Sequence, residues 1–178
     1  MTALLCALLV AAAPQTFDLR EGTLTYTVIH KLHEVKGTTH QLQGRAQLQP
    51  DGTLRVQVRA KVSSFDSGNG NRDEHVREVT HEPAHPFVQV KGSAPNVAVG
   101  APADVKLDAT IDLNGVQKQQ QIAVHLEPRQ GGGVRAKFSF PISLDAFHVE
   151  RPELLFVKVE DKAQIEGDLV FTEAAKCR

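Results

Sequence analysis

Apolar and polar residues alternate with a period of two along most of this chain. Leu54, Val56, Val58, Ala60 and Val62 are interleaved with Arg55, Gln57, Arg59 and Lys61, which predicts a strand with one dry face and one wet face. The pattern returns in Val105, Leu107, Ala109, Ile111 and Leu113, then in Ile122, Val124 and Leu126. It appears again in Val134, Ala136, Phe138 and Phe140, and in Ala163, Ile165, Gly167, Leu169 and Phe171; Leu24, Tyr26 and Val28 begin another run. Between the runs stand Pro50-Asp51-Gly52, Asn114-Gly115 and Gly131-Gly132-Gly133. Asn-Gly between alternating segments is a strong hairpin signal, because both residues tolerate positive φ. Pro141 has no N–H for a ladder and predicts a kink or an edge in its strand. About eight short, mostly antiparallel strands predict an all-β domain, either a closed barrel or a sandwich, and closure removes exposed edges.

One segment breaks the alternation. Val62 to Gly92 is a dense polar insert between two strand-like segments. It begins with turn-formers, Asp66, Ser67, Gly68, Asn69 and Gly70. A short helix follows, with Asn71 as its expected cap and with Asp73 and Glu74 suited to its N-terminal dipole. Pro83 and Pro86 are expected to end it.

The chain has 178 residues, 41% of them hydrophobic, enough for one domain with a sizeable core. Its 20 basic and 21 acidic side chains nearly cancel, and no basic run interleaved with aromatics marks a nucleic-acid partner. Residues 1–13 read as a secretory signal segment: the apolar run is too short to span a bilayer but long enough for export. Cleavage after Ala12, with Val10 and Ala12 as the small residues, avoids Pro14 beside the cut. Residues 14–178 then form the exported domain, periplasmic or extracellular, with no membrane span after processing. Cys6 leaves with the signal and Cys177 stays alone, so no intrachain disulfide is expected. Ala3, Leu4 and Leu5 before Cys6 are not a lipobox. The sequence leaves oligomeric state open.

A barrel of eight strands either fills its interior with side chains or holds one small ligand. The residues alone leave both open. If hollow, an interior of Val, Leu, Ala and Phe without Trp makes an aliphatic lining for a long apolar molecule, with Val28, Val56, Val58, Leu107, Ile111, Phe138 and Phe140 as its candidate contacts. At the mouth, Arg72 carries a planar donor fork suited to a phosphate, pyrophosphate or carboxylate head group, and His75 shares a helix face with Asn71. Asn71 and Asp73 are read as polar supports, and the alternative for Arg72, favoured over head-group binding, is that it and Asp73 make hydrogen bonds that pin the long connection onto the barrel. His30 and His33 are candidate metal ligands, although an odd offset on a regular strand points them to opposite faces. Catalytic signatures are lacking: there is no G-x-S-x-G elbow, no H-E-x-x-H and no cysteine pair, and Ser67 has no evident base.

Three segments carry a resemblance to a known family: TYTVIHKLHEVKG; SFDSGNGNRDEHVREV followed by HPFVQVKG; and LNGVQKQQQIAVHLE. In order and wording they resemble the YceI-like family over roughly Phe17 to Thr172, with the RDEH element the most specific part. The resemblance implies a single antiparallel eight-stranded lipocalin-like barrel with one short helix in the insert after about residue 65. It also implies a non-enzymatic binding protein with no obligatory cofactor, whose guest is a long-chain apolar molecule, an isoprenoid, a quinone or a fatty lipid. This chain departs from the family where Thr80-His81-Glu82-Pro83-Ala84 stands in place of bulky aromatics, and in its His30/His33 pair. A His-dependent metal- or haem-linked redox accessory protein and a ligand-free structural barrel remain the alternatives.

Overall fold

The structure, a computed structural model, describes residues 13–30, 33–151, 153–154 and 157–175. Period-two alternation becomes β1 (Gln15–His30), β2 (His33–Thr39), β3 (Leu42–Leu48), β4 (Leu54–Lys61), β5 (Phe87–Ala94), β6 (Ala103–Leu113), β7 (Val116–Arg129) and β8 (Gly133–Ser143). Two short strands follow, β9 (Glu153–Leu154) and β10 (Val157–Lys158), then β11 (Lys162–Glu173). The single helix longer than one turn among the described residues is α1 (Gly70–Val79), between β4 and β5. Eight strands, β1, β3 to β8 and β11, pair antiparallel in chain order, and β11 returns to β1 to close the ring. β2 lies outside it, paired with the upper part of β1. Closure leaves the dry faces only one place to go, the barrel interior.

Each turn signal sits at the end of a hairpin. Asn114 and Gly115, with φ of 54° and 73°, join β6 to β7 as a two-residue connection whose twist matches the flanking strands. Gly52, Gly131 and Gly132 also take positive φ, at the β3–β4 and β7–β8 turns.

Two irregularities shift the phase of the alternation. The register of β1 against β11 slips by one residue between Leu19 and Glu21, a bulge that lets Phe17 and then Leu24, Tyr26 and Val28 face the same interior. Across from β1, the break at His40–Gln41 between β2 and β3 separates inward Val35 from inward Leu42 and Ala46. His30 and His33 are not three apart on one strand: they end β1 and begin β2, and the ladder pairs them directly. Their side chains lie outside the described residues, as do residues 1–12, with Cys6 and the signal segment, and Cys177.

The lower end of the barrel is packed shut. Phe17, Leu54, Ala94, Val97, Leu126, Val134 and Phe171 are all buried there, where β1 begins and β11 ends. The upper wall is different, because the β7–β8 ladder runs upward only to Val124 and Phe138. Above it Pro141 offers no N–H, and Gln120 Nε2 donates to its carbonyl at 3.0 Å. A strap after β8 covers this seam: Phe147 and Val149 are buried in the core cluster. Asn114 holds the strap by donating from Nδ2 to the carbonyls of Phe147 (3.2 Å) and His148 (3.0 Å). Arg151 clamps its base, with Nε and Nη2 each 2.8 Å from the Asp145 carboxylate and Nη1 2.9 Å from the Val159 carbonyl.

Candidate functional site

The interior is hollow. A cavity of about 880 Å³ runs from the floor at Phe17, Leu54 and Phe171 to the underside of α1, within the usual range for small-molecule sites. Inward glycines shape it. Gly37, Gly92 and Gly167 lie opposite or diagonal to Tyr26, Leu107 and Phe138, whose side chains occupy the space a Cβ would need. The Phe138 and Phe140 rings pack with a tilt of 36° and 5.8 Å between centroids.

All nine residues proposed from sequence as ligand contacts line this cavity: Val28, Val56, Val58, Arg72, His75, Leu107, Ile111, Phe138 and Phe140. They divide by height. The aliphatic and aromatic residues make the wall, while Arg72 and His75 hang from the roof. α1 turns Asn71, Arg72, His75, Val76 and Val79 toward the cavity, the spacing of one helical face. The N-terminal half of the roof is therefore polar and the C-terminal half apolar.

The insert holds its shape through its own polar groups. Asn69, not Asn71, is the helix cap: its side chain accepts from the Arg72 N–H at 3.1 Å. The signal for Asn71 was ambiguous because both asparagines follow a glycine, and the turn places the first at the non-helical position that a cap requires. Asn71 instead lies in the first turn and lines the cavity. Asp73 accepts from the Ser67 N–H at 3.1 Å, a bond within the insert. Thr38 and Asp66 exchange backbone bonds of 2.9 and 3.0 Å, which covers the outer edge of β2, and the Val62 N–H reaches the Pro86 carbonyl at 3.0 Å. The helix ends at Val79, before the prolines. His75 stands 3.5 Å from Glu78, both well exposed, a contact of little energetic weight. The Arg72 guanidinium has no hydrogen-bond or ion-pair partner among the described residues.

Sequence reasoning missed Tyr26. This residue lines the cavity beneath α1, packs on Phe65 with 5.6 Å between ring centroids, and carries a buried hydroxyl with no hydrogen-bond partner. Burial, reinforced by the Asp73 carboxylate and opposed by Arg72, pushes its pKa up to about 12. A signal was present, since it is the one tyrosine of the chain and falls on the inward phase of an alternating strand. Among the described residues no group of three or more His, Cys, Asp or Glu side chains is arranged to hold a metal ion.

A closed antiparallel barrel around an apolar cavity, roofed by a helix with polar groups at one end, defines the class: a lipocalin-like barrel with an interior site. The chain belongs to the YceI-like domain family, whose model matches residues 16–171. Solved structures share the fold. A polyisoprenoid binding domain from Saccharophagus degradans, implicated in plant cell wall breakdown, is 14% identical with a TM-score of 0.71, over 89% of this chain and 98% of that one. BcnA of Burkholderia cenocepacia is 18% identical with a TM-score of 0.69, over 84% and 95%. The YCEI protein of Campylobacter jejuni is 14% identical with a TM-score of 0.65, over 83% and 90%. No curated protein sequence matches the chain.

Proposed function

We propose that this protein is an exported, non-enzymatic carrier that holds the apolar chain of an isoprenoid, quinone-like or fatty lipid inside the barrel. The observation that carries the reading is the cavity itself, a hollow of about 880 Å³ with an almost wholly apolar wall and its polar groups gathered at the roof. That layout matches an amphiphile lying tail-down. About ten buried methylenes contribute about 8 kcal/mol, the scale of a micromolar Kd before the costs of immobilising the guest. Family membership and the solved polyisoprenoid binding domain support the isoprenoid choice. Residues 1–13 serve as the export signal and 14–178 as the carrier.

Native mass spectrometry of protein purified gently from its own host tests both parts. The expected spectrum shows a chain lacking the signal segment and carrying one lipid mass. An unprocessed chain overturns export. An empty barrel that also refuses long-chain lipids in vitro leaves the ligand-free reading.

Arg72 sets a preference for the head group in this scheme. Arg72→Ala is expected to weaken a fatty acid by about tenfold, the scale of a charge-assisted hydrogen bond, and to leave the matching neutral ester within about twofold. Equal loss for both in a binding titration would assign Arg72 to structure.

A further inference from the structure

We infer that the outward face of β3, β4 and β5 is a docking surface for an anionic lipid membrane. The inference goes beyond the carrier reading and rests on charge outside the barrel, so either can fail alone.

Charge is unevenly spread over the barrel. These three strands carry Arg45, Arg55, Arg59, Lys61 and Lys91 and no Asp or Glu, although the whole chain has a formal net charge of -1. All five cations are exposed, and the ladders set them side by side. Arg45 pairs with Gln57, which pairs with Lys91; Arg59 stands between Gln43 and Gln89, and Arg55 between Gln47 and Ser93. The groups between the cations are thus neutral. Elsewhere on the wall opposite charges meet, as in Arg135 with Asp168, Lys137 with Glu127 and His125 with Asp104. Among the described residues only Arg45 of the five has an ion-pair partner, Asp18 of β1 at 2.9 Å. The acids at the border are engaged, Asp51 by the Thr53 N–H with Arg55 nearby, Asp108 by Gln121 and Asp112 by Gln117. Such a face fits a dense layer of negative charge. Two features favour a membrane over a protein. Protein interfaces have an apolar, charge-poor centre, whereas this face offers one apolar side chain, the half-buried Phe87, opposite Lys61 and with the Arg59 guanidinium 4.7 Å from its ring centre. An aromatic flanked by cations is the composition of a shallow membrane anchor. That anchor also lies near the mouth, because Lys61 ends β4 where the chain enters the insert that carries α1.

Flotation with vesicles of phosphatidylcholine, alone or with about 30% phosphatidylglycerol, provides the test. Wild type is expected to prefer the mixed vesicles and to lose that preference as salt is added. Each cation near an anionic leaflet is worth about fivefold in affinity, so Arg55→Gln/Lys61→Gln/Lys91→Gln is expected to bind the mixed vesicles about 100-fold more weakly than wild type. None of these three side chains has a hydrogen-bond or ion-pair partner among the described residues, so the variant should melt at the wild-type temperature. Lys118→Gln/Arg129→Gln/Lys162→Gln removes as much charge from the rest of the barrel and is expected to cost less than about fivefold. No preference of wild type for the mixed vesicles, losses that do not differ between the two variants, or release from the vesicles by duplex DNA at equal phosphate concentration overturns the inference. Lipid uptake into the barrel is measured separately and stands whichever result is found.

Discussion

Val58→Asp is expected to lower uptake of a long-chain neutral lipid by more than about 100-fold while the barrel stays folded. Val58 sits mid-wall on β4, paired with Gly44 and Val90 on its two neighbours, and its side chain borders the cavity rather than the packed floor. In the empty protein a carboxylate there faces a hollow with room for water, so it keeps part of its hydration. A hydrocarbon tail must strip that water away. Leaving a charge unpaired in an apolar site costs several kcal/mol, and about 3 kcal/mol already exceeds two decades of affinity. Circular dichroism and a thermal melt check that the fold persists, and lipid titration reads the loss. Ile111→Asp is the informative contrast: Ile111 is only 3% exposed, so the same charge is trapped in packed surroundings and unfolding is expected instead. Normal lipid uptake by folded Val58→Asp would place the guest somewhere other than the interior.

The wall residues were legible because a strand repeats every two residues and the core faces one way. Val56, Val58, Leu107, Ile111, Phe138 and Phe140 followed from that rule alone, and the hairpin at Asn114-Gly115 from the tolerance of both residues for positive φ. The rule carries no information about phase slips. The β1 bulge near Arg20 and the break at His40–Gln41 move the inward set by one residue; the first is settled by pairing with distant β11 and the second by the pairing of β2 with β1 and of β3 with β1 and β4. For the same reason, His30 and His33 read as neighbours on one strand when they face each other across a hairpin. Whether the barrel was hollow was illegible as well. Small inward residues such as Gly92 and Gly167 are each overlaid by a large neighbour, and no pattern in one strand reports how many neighbours lean in. The polar roof was read correctly as a helix-bearing insert, yet the partnerless hydroxyl of Tyr26 depends on Gly37 and Phe65 arriving from other strands and loops.

Asn114→Ala is expected to destabilise the fold by about 3 kcal/mol, a fall in melting temperature of about 6–12 °C for a domain of this size. Two physical effects combine. Asn114 holds φ at 54°, a left-handed conformation that costs alanine about 1–2 kcal/mol and that asparagine tolerates better. Its side chain is also the knot of the upper end: Oδ1 accepts from His81 Nδ1–H at 2.8 Å, and Nδ2 donates to the strap carbonyls of Phe147 and His148. Asn114 is buried, so the groups it leaves behind lose partners where water has little access. Asn114→Gly separates the two effects, since glycine keeps the left-handed turn without strain and loses only the side-chain bonds. The glycine variant should fall about half as far. The strap that Asn114 holds packs on β7 and β8 above their ladder, where only the Gln120–Pro141 side-chain bond is otherwise described between them, so both variants should also release a bound lipid faster than wild type, by stopped-flow transfer to acceptor vesicles. An alanine variant as stable as wild type would show that the strap is held by Arg151 and Asp145 alone, and an unchanged release rate would separate the strap from the path of the guest.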